Sequence, residues 1–413
     1  MSDVSASETR AASNAQRFSL AALLTLALLS SVGPFGIDLY LPAFPAMVVD
    51  LHTSNTGVQL SLTAFLIGVG AGQLMFGPWS DRVGRYGPLL TGLSLYIVAS
   101  VVAFTAPTIE VLVAARLVQG LAGSAGMVLG RAMVLDRAHG AEAARAINLM
   151  MVIGGAAPVV APLIGSTLSE AIGWRGLLTI VAGLGVVSLV ATLFFLRETR
   201  PKEARSERHE RVRVGADARV LFSRRFVGFT VAYAFLTAGL LAYVSSSPFI
   251  YQEMIGLTPA QFGLAFAVNS VGIALFNGLS ARLAGRVDLR TLLLAGLVLT
   301  ALGGLAILVF TLAGLPPVSL LVPLFFVVAP SGLVFGNATV LALDQVPRHI
   351  MGLASAVLGA LQFGMSGLAA GLVGLWGEGP SLPLGIAMII CSTVALIGFA
   401  VAYRESATTP VEA

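Results

Sequence analysis

Long apolar segments recur along this chain, and they limit its possible fold more than any other feature. Hydrophobic residues make up 57% of the 413 residues and charged residues 11%, whereas soluble domains average about 45–50% and about 25%. Each segment is long enough to cross a bilayer as a helix, the structure that satisfies its own backbone in lipid. The sequence therefore predicts an all-α protein with twelve membrane spans, at 18–39, 57–77, 88–106, 109–131, 145–168, 174–196, 226–250, 260–281, 291–313, 317–343, 350–375 and 381–403.

Basic residues are sorted between alternate connections. One set of connections holds arginines such as Arg82, Arg137 and Arg282, and the opposite set holds a single basic residue, Arg175. Loops rich in lysine and arginine stay in the cytoplasm. We therefore expect both termini and the charged central connection to be cytoplasmic.

The two halves of the chain repeat each other. Residues 278–286 reproduce the glycine and arginine spacing of residues 77–85 at an offset of 201, although Arg282 replaces Asp81. Two six-helix bundles related by an axis along the membrane normal are typical of such repeats. The expected organisation is a cytoplasmic tail at 1–17, a first bundle at 18–196, a solvated linker at 197–225, a second bundle at 226–403 and a cytoplasmic tail at 404–413.

The connection at 77–87 reads G-P-W-S-D-R-V-G-R-Y-G and resembles the G-x-x-x-D-R-x-G-R-[RK] loop of major facilitator superfamily transporters. Tyr86 stands where that family usually has a second basic residue. The resemblance implies a cytoplasmic charge network that holds one conformation. Its expected members are Gly77, Asp81, Arg82, Gly84 and Arg85, with Arg131 and Asp136 from span 4. We expect Asp81 to lie near Arg131 and near Gly352, at the start of span 11, when the cytoplasmic side is closed.

Asp38 is an acid inside predicted span 1. A charge at the centre of a membrane helix costs roughly 2.5–3.5 kcal/mol, so it normally faces a cavity. The surrounding G-I-D-L-Y-L-P-A-F-P is similar to the T-D-M-Y-L-P-A-L-P signature of the bicyclomycin/chloramphenicol-resistance (Bcr/CflA) drug exporters. A carboxyl removed from water favours its protonated form and can bind and release a proton. The alternative is that Asp38 only ends the span at the outer interface.

Arg116 opens R-L-V-Q-G-L-A-G-S-A-G-M, which is similar to the family's R-x-x-Q-G motif in span 4. Arg116, Gln119 and Met127 recur at helical spacing with two glycines and therefore share one face. We expect that face to line a cavity, with Arg116 assisting proton coupling and Gln119 and Met127 contacting the substrate. The alternative is an arginine that extends to the membrane interface.

Predicted span 5 contains G-G-A-A-P-V-V-A-P-L-I-G, with Gly154, Pro158, Pro162 and Gly165 at its key positions. It resembles the glycine- and proline-rich motif of antiporters, with Ala157 in place of the usual glycine. Each proline removes a helix hydrogen bond and bends the span, and glycines allow close packing. The resemblance favours export, although helix packing alone would use the same residues.

The second half adds the stretches 246–253 and 261–269, which resemble the S-P-F-x-x-Q and F-x-x-N patterns of the same subfamily. The resemblance thus covers nearly all of residues 18–403. Tyr243, Asn269, Asn337 and Gln362 are the candidates for hydrogen bonds to a ligand. A hydrogen bond between helices is an equally good explanation for each.

The resemblance implies a proton-coupled exporter of phenicol- or bicyclomycin-like amphipathic drugs in the inner membrane. Its expected partners are a small-molecule drug, protons and the lipid bilayer, with no nucleic acid, and it is expected to be a monomer. The nearest alternative is a transporter of a sugar or an amino acid. A membrane enzyme or receptor is disfavoured, because the sequence has no HExxH, GxSxG or Walker A motif and indicates no cofactor and no metal.

Overall fold

The computed structural model describes residues 19–138, 140–200, 218–347, 350–376 and 379–406, and these are almost entirely helical. Eleven helical segments are long and apolar enough to cross a membrane. One of them, Gly140–Phe195, has 56 residues and would be about 84 Å long as a single helix, far more than a bilayer of about 30 Å. Gly173 interrupts it with φ +63° and ψ −179°, a conformation outside the helical region. The segment therefore contains spans 5 and 6, and the described residues form the expected twelve spans.

The helices begin and end close to the predicted boundaries. Spans 1, 7 and 10 are each built from consecutive helical pieces, which places a break inside the membrane. The observed elements are Leu20–Asp38, Leu41–Ala43 and Phe44–Asp50 for span 1; Asn55–Val83 for span 2; Tyr86–Phe104 for span 3; Ile109–Arg137 for span 4; 140–172 and 174–195 for spans 5 and 6; Arg224–Pro248 and Phe249–Met254 for span 7; Pro259–Leu283 for span 8; Leu289–Leu312 for span 9; Pro317–Leu320, Leu321–Val328 and Ser331–Leu343 for span 10; Met351–Gly374 for span 11; and Ser381–Ser406 for span 12.

Parts of the predicted organisation lie outside the described residues. These parts are the expected tail at 1–17, the linker at 201–217 and the last residues from 407 onward. Span 12 continues as a helix to Ser406, beyond the expected start of the second tail.

Small residues allow the spans within a bundle to approach closely. In the first bundle, spans 2 and 4 meet where Gly68 faces the Leu117 carbonyl and Gly120 faces the Phe65 carbonyl. A Cβ atom at either glycine would fall well inside van der Waals contact with that backbone. The pairing of spans 2 and 4 therefore depends on residues without side chains, as is common in membrane helix packing.

The two bundles touch mainly at one end of the molecule, which we call the Asp50 end. The opposite end, which carries the 77–87 connection, is called the Asp81 end. At the Asp50 end, the Phe44 and Phe249 rings pack with their centroids 5.9 Å apart. Four side-chain hydrogen bonds also join the bundles there, from Asn55 to Glu253 (3.0 Å), from Thr56 to the Gly374 carbonyl, from Gln59 to the Ser245 carbonyl (3.2 Å) and from Gln252 to the Pro42 carbonyl (3.1 Å).

Toward the Asp81 end the bundles separate. Spans 2 and 11 remain packed as far as Gln73, which contacts Gly359. Among the described residues, the part of span 2 from Leu74 to Val83 forms no hydrogen bond or ion pair with the second bundle. The molecule is thus closed at the Asp50 end and open at the Asp81 end.

The close approach of spans 2 and 4 predicts the effect of adding a single methyl group. Gly120→Ala should destabilise the protein by about 1–3 kcal/mol, because its Cβ overlaps the Phe65 backbone. Gly183→Ala is the matched control: it lies in a helix with no atom within 4 Å of its Cβ position, so it should be neutral or slightly stabilising. Thermal unfolding of the two purified variants in the same detergent measures the difference, and equal melting temperatures would contradict this account of the packing.

Candidate functional site

Asp38 lies deep inside the molecule rather than at its edge. It is the last residue of the helix Leu20–Asp38, and span 1 continues beyond it to Asp50. Asp38 therefore lies twelve residues before the Asp50 end. Only 5% of the residue is exposed, and no described residue forms a hydrogen bond or an ion pair with its carboxyl. A carboxyl in this position is enclosed, which an interfacial helix cap would not be.

Arg116 is fully buried and stabilises the break in span 1. Its guanidinium donates to the Gly36 carbonyl at 2.6 Å and to the Gln119 side chain at 2.5 Å. The carbonyls of the last helical turn have no partner within the helix, so an arginine is a favourable donor to them. The rings of Tyr40 and Phe65 flank the guanidinium, with centroids at 4.5 and 4.2 Å, which offsets part of its desolvation. The side chain is thus enclosed among the spans of the first bundle and does not extend to the interface.

Gln119 is equally enclosed. Its oxygen accepts from Arg116, and its nitrogen donates to the Ser100 hydroxyl at 2.6 Å. Both polar atoms of the amide are therefore already bonded inside the first bundle, where we expected a substrate contact. Asn337 behaves similarly, because its nitrogen donates to Ser280 of span 8 at 2.9 Å and to the Leu333 carbonyl at 2.7 Å. In this conformation both side chains hold helices together.

Tyr243, Asn269 and Tyr251 form one buried polar cluster in the second bundle, which we call the tyrosine cluster. The Asn269 nitrogen donates to the Tyr243 oxygen at 2.8 Å and to the Tyr251 oxygen at 3.0 Å. The Tyr243 ring stacks on Phe266. Tyr243 also lies within electrostatic range of Asp38, across the contact between the bundles. The cluster therefore brings two predicted residues and one unpredicted residue, Tyr251, toward the buried acid.

Met127 and Gln362 are only partly buried. The Met127 sulfur lies against Gly33 of span 1, on the side that opens toward the Asp81 end. Gln362 of span 11 interacts with Tyr233 of span 7, which itself lies within electrostatic range of Arg131. Both side chains are half-buried in this conformation, and their contact with a ligand stays a prediction.

The prolines of span 5 connect the two bundles. Pro162 has no N–H, so the Pro158 carbonyl loses its partner within the helix. The Ser270 hydroxyl of span 8 donates to that carbonyl at 3.0 Å. Gly165 lets span 5 approach Leu39 of span 1, and a Cβ placed on Gly154 would lie 3.9 Å from the Ser30 carbonyl of the same span. The motif thus packs span 5 against span 1 and provides an acceptor for span 8.

A charge network occupies the Asp81 end of the first bundle. Arg85 is mostly buried and binds Asp81 at 2.7 Å and Asp136 at 3.0 Å. Burial lowers the pKa of the Arg85 guanidinium, but the two carboxylates outweigh burial and hold that pKa above its ordinary value. The Glu198 carboxylate accepts from the Arg85 and Tyr86 backbone N–H groups, which cap span 3. This network joins spans 2, 3 and 4 to the segment that follows span 6.

Two expected contacts of the network are not formed. Asp81 pairs with Arg85 and with Arg200 at 3.1 Å, while no described atom lies within 4 Å of a Cβ placed on Gly352. The bundles are apart at this end, so span 11 cannot reach Asp81. Arg131 is exposed and forms no ion pair with the described residues of the network. It precedes Asp136 by five residues, which turns it about 140° to another face of the helix.

Of the remaining members of the 77–87 connection, Gly84 determines the shape of the turn. Gly84 has φ +104°, a conformation that L side chains rarely adopt, and its N–H caps the end of span 2 at the Ser80 carbonyl. Gly77 has no described atom within 4 Å of its Cβ position, and Arg82 is exposed.

Residues that the sequence reasoning missed lie mostly at the Asp50 end. Gln59, Gln252 and Glu253 bond across the bundles there. Gln59 carries a usable signal, because an amide inside a membrane span normally has a partner. At the same end, the Asp50 carboxylate accepts hydrogen bonds from the Trp174 and Arg175 side chains. Arg175, the single basic residue that the sequence places in the connections of this side, thus has an acidic partner.

Comparison with known sequences agrees with this architecture. The sequence profile of the family described as Major Facilitator Superfamily matches residues 26–371. The chain is 34% identical to an uncharacterized MFS-type transporter, YdgK, of Bacillus subtilis, over 92% of this chain and 94% of that protein. It is 31% identical to Multidrug resistance protein D of Escherichia coli, over 89% and 92%, and 27% identical to a bicyclomycin resistance protein homolog of Haemophilus influenzae, over 94% and 97%.

Solved structures share the fold at lower sequence identity. A D-xylose-proton symporter superimposes with a TM-score of 0.73 at 14% identity, over 90% of this chain and 96% of that chain. A bacterial homolog of the human lysosomal transporter Spinster, inward-facing and unoccupied, superimposes with a TM-score of 0.72 at 17% identity, over 94% and 96%.

The hydrogen bonds at the Asp50 end predict how firmly the bundles are held there. Gln59→Ala should increase the population with a separated Asp50 end about three- to fivefold, since one such bond contributes about 0.6–1 kcal/mol. The measurement is a spin-label distance between Val49 and Ala260, two exposed positions on opposite bundles. Ser61→Ala is the matched control, because the Ser61 hydroxyl bonds only within the first bundle. Identical distance distributions in Gln59→Ala and Ser61→Ala would overturn the assignment.

Proposed function

Because the chain belongs to the major facilitator superfamily, we propose that it exports drugs in exchange for protons. The observation that carries the proposal is Asp38, a carboxyl buried without a partner beside the contact between the bundles. Such a carboxyl is stable when protonated and unfavourable when ionised, so its proton occupancy can be coupled to a change of conformation. Relatives named for multidrug and bicyclomycin resistance support drugs as the substrate class.

We further propose that the Asp81 end faces the cytoplasm of the cell, as the arginine distribution predicts, with both termini on that side. The structure then represents the inward-open state of a monomer in the inner membrane. A drug would enter between the bundles from the cytoplasm and contact Met127, Gln362 and the tyrosine cluster. Gln119 and Asn337, which are already bonded, would support the helices around that cavity.

A single titrating acid is sufficient for this exchange. One entering proton supplies about 2.3 kcal/mol at 100 mV and about 1.4 kcal/mol for one pH unit. The sum of about 3.7 kcal/mol supports a concentration ratio of a few hundredfold for a neutral amphipathic drug. Phenicol- and bicyclomycin-like drugs satisfy that description, and a neutral sugar or amino acid is the alternative substrate.

The proposal predicts that Asp38→Asn abolishes export without preventing folding, because the substitution removes a charge and keeps the shape. In an efflux-deficient bacterial host, wild-type protein should lower drug accumulation, and Asp38→Asn should return it to the level of cells without the protein. A protonophore should do the same to the wild type. Asp50→Asn is the matched control: the same substitution at the end of the same span should leave export within about twofold, since Asp50 forms an exposed surface pair.

Two results would contradict the proposal. Drug accumulation in cells with Asp38→Asn that equals the wild-type level would exclude coupling through this acid. A panel in which no drug's inhibitory concentration changes, while uptake of a sugar or an amino acid does, would favour the metabolite transporter.

The pairing of Asp81 predicts opposite effects for two substitutions. When the cytoplasmic side closes, Asp81 must leave Arg200 to reach the N-terminus of span 11, a contact worth about 0.3–1 kcal/mol. Asp81→Asn should therefore favour the open Asp81 end by up to about fivefold, and Arg200→Ala should favour the closed one by a smaller factor of about twofold. Asp81 is half-exposed, so its pairs with arginine contribute little in comparison.

The readout is a spin-label distance between Val83 and Leu353, exposed positions at the Asp81 ends of spans 2 and 11. Cys391, the only cysteine, is replaced by serine in all samples. Two results would show that contact between Asp81 and span 11 does not hold the closed state. One is a distance that moves in the same direction in both variants, and the other is an inactive Asp81→Asn with a wild-type distance distribution.

A further inference from the structure

The tyrosine cluster contains a hydroxyl hydrogen for which the cluster itself has no acceptor. The Asn269 nitrogen has two hydrogens and directs one to each tyrosine oxygen, at 2.8 and 3.0 Å. Each hydroxyl therefore acts as an acceptor toward Asn269 and keeps its own hydrogen to donate. The two hydroxyl oxygens are 3.5 Å apart, so one hydroxyl can donate to the other, and at least one hydrogen lacks an acceptor within the cluster.

Asp38 is the complementary group on the other bundle. It is buried, and no described residue donates a hydrogen bond to its carboxyl. The turn Leu41–Ala43, which follows it, packs against spans 7 and 8, and Tyr243 lies within electrostatic range of the carboxyl. Ile37 and Tyr243 belong to the same continuous apolar core. An acceptor without a donor and a donor without an acceptor thus lie on opposite bundles, within electrostatic range of each other.

Most of the other polar groups on the elements around Asp38 already have a hydrogen-bond partner. From span 4, Arg116 binds Gly36 and Gln119 and lies between two rings. From span 1 itself, the Tyr40 hydroxyl bonds Ser61. Span 5 places Gly165 beside this turn, and span 8 contributes Asn269 and Phe266 to the cluster. Among the described residues, the Arg116 Nε–H and the hydroxyls of Ser245 and Ser246 are also buried without a partner. Tyr243 of the tyrosine cluster is the donor that lies within electrostatic range of the Asp38 carboxyl.

We propose that Tyr243 is a positioning residue for proton exchange: when Asp38 ionises, the Tyr243 hydroxyl donates a hydrogen bond to it and joins span 1 to span 7. No covalent bond changes. The proton leaves Asp38 for solvent in the cavity, and the hydroxyl hydrogen turns from the cluster toward the carboxylate. The bond exists only with the ionised acid, so proton release from Asp38 draws the two bundles together at this level. This inference rests on the proposed role of Asp38 and adds the group that responds to it.

The inference is tested by titrating Asp38 directly, without any ligand. The infrared band of protonated carboxyl groups is recorded against pH in liposome-reconstituted protein, and the part absent from Asp38→Asn is assigned to Asp38. Tyr243→Phe keeps the ring and its stacking on Phe266 but removes the donor. A hydrogen bond to a charged group contributes about 1.5–3 kcal/mol, so its loss should shift the midpoint upward by about one pH unit or more. The sign is upward because the lost bond favours only the ionised form.

Tyr251→Phe is the matched control, because it removes a hydroxyl from the same cluster and keeps the contact with Phe262. Its midpoint should stay within a few tenths of a pH unit of the wild type. A wild-type midpoint in Tyr243→Phe, or an equal shift in Tyr251→Phe, would overturn the inference. If Tyr243→Phe does not fold, Tyr243→Met provides the same test. A carboxyl band that is unchanged in Asp38→Asn would instead refute the proposed function, because Asp38 would then not titrate.

Discussion

Backbone carbonyls without a partner, exposed where helices break inside the membrane, are the constraint on which this structure depends. Lipid offers them no hydrogen bond, so each must find a donor within the protein. Here the donors are side chains of other spans. Arg116 donates to the carbonyl of Gly36, Ser270 to that of Pro158, Gln59 to that of Ser245, and Gln252 to that of Pro42. All but the first of these bonds join the two bundles. The breaks in spans 1 and 7 and the proline site within span 5 are thus also the places where the halves of the molecule are held together.

The same constraint explains why a buried arginine that binds span 1 two residues before a buried acid does not pair with that acid. Arg116 is committed to the broken end of the first helix, two residues before the acid, and its charge is balanced by carbonyl and amide dipoles and by aromatic rings. Asp38 is therefore left without a fixed counter-ion. A permanent ion pair would hold the carboxyl ionised in every state. An unpaired carboxyl can follow the conformation instead, as a coupling group requires.

The sequence predicts those parts of the arrangement in which burying a charged residue in the membrane is itself costly. Charges within apolar segments single out Asp38 and Arg116, and the resemblance of 77–87 implies a charge network, of which Arg85 and Asp136 form a pair. The hydrogen-bond partner of a polar side chain cannot be predicted from the sequence in the same way, because a ligand and a backbone carbonyl satisfy an amide equally well. This is why Gln119 was expected at a cavity although it bonds within its own bundle, and why Gln59 was missed. The expected contact between Asp81 and Arg131 belongs to the closed state and stays a prediction. In this open state, the five-residue spacing to Asp136 puts Arg131 on a different face of span 4.

The strength of the contacts at the Asp50 end is suited to a molecule that has to open there. Each neutral hydrogen bond between membrane helices contributes about 0.6 kcal/mol and rarely more than about 1.7. The four bonds at this end then sum to a few kcal/mol, similar to the energy that one proton supplies across an energised membrane. A buried ion pair in their place would cost about 3–5 kcal/mol to separate on its own. If the chain exchanges a drug for a proton as proposed, the energy of one proton is sufficient to separate contacts of this strength.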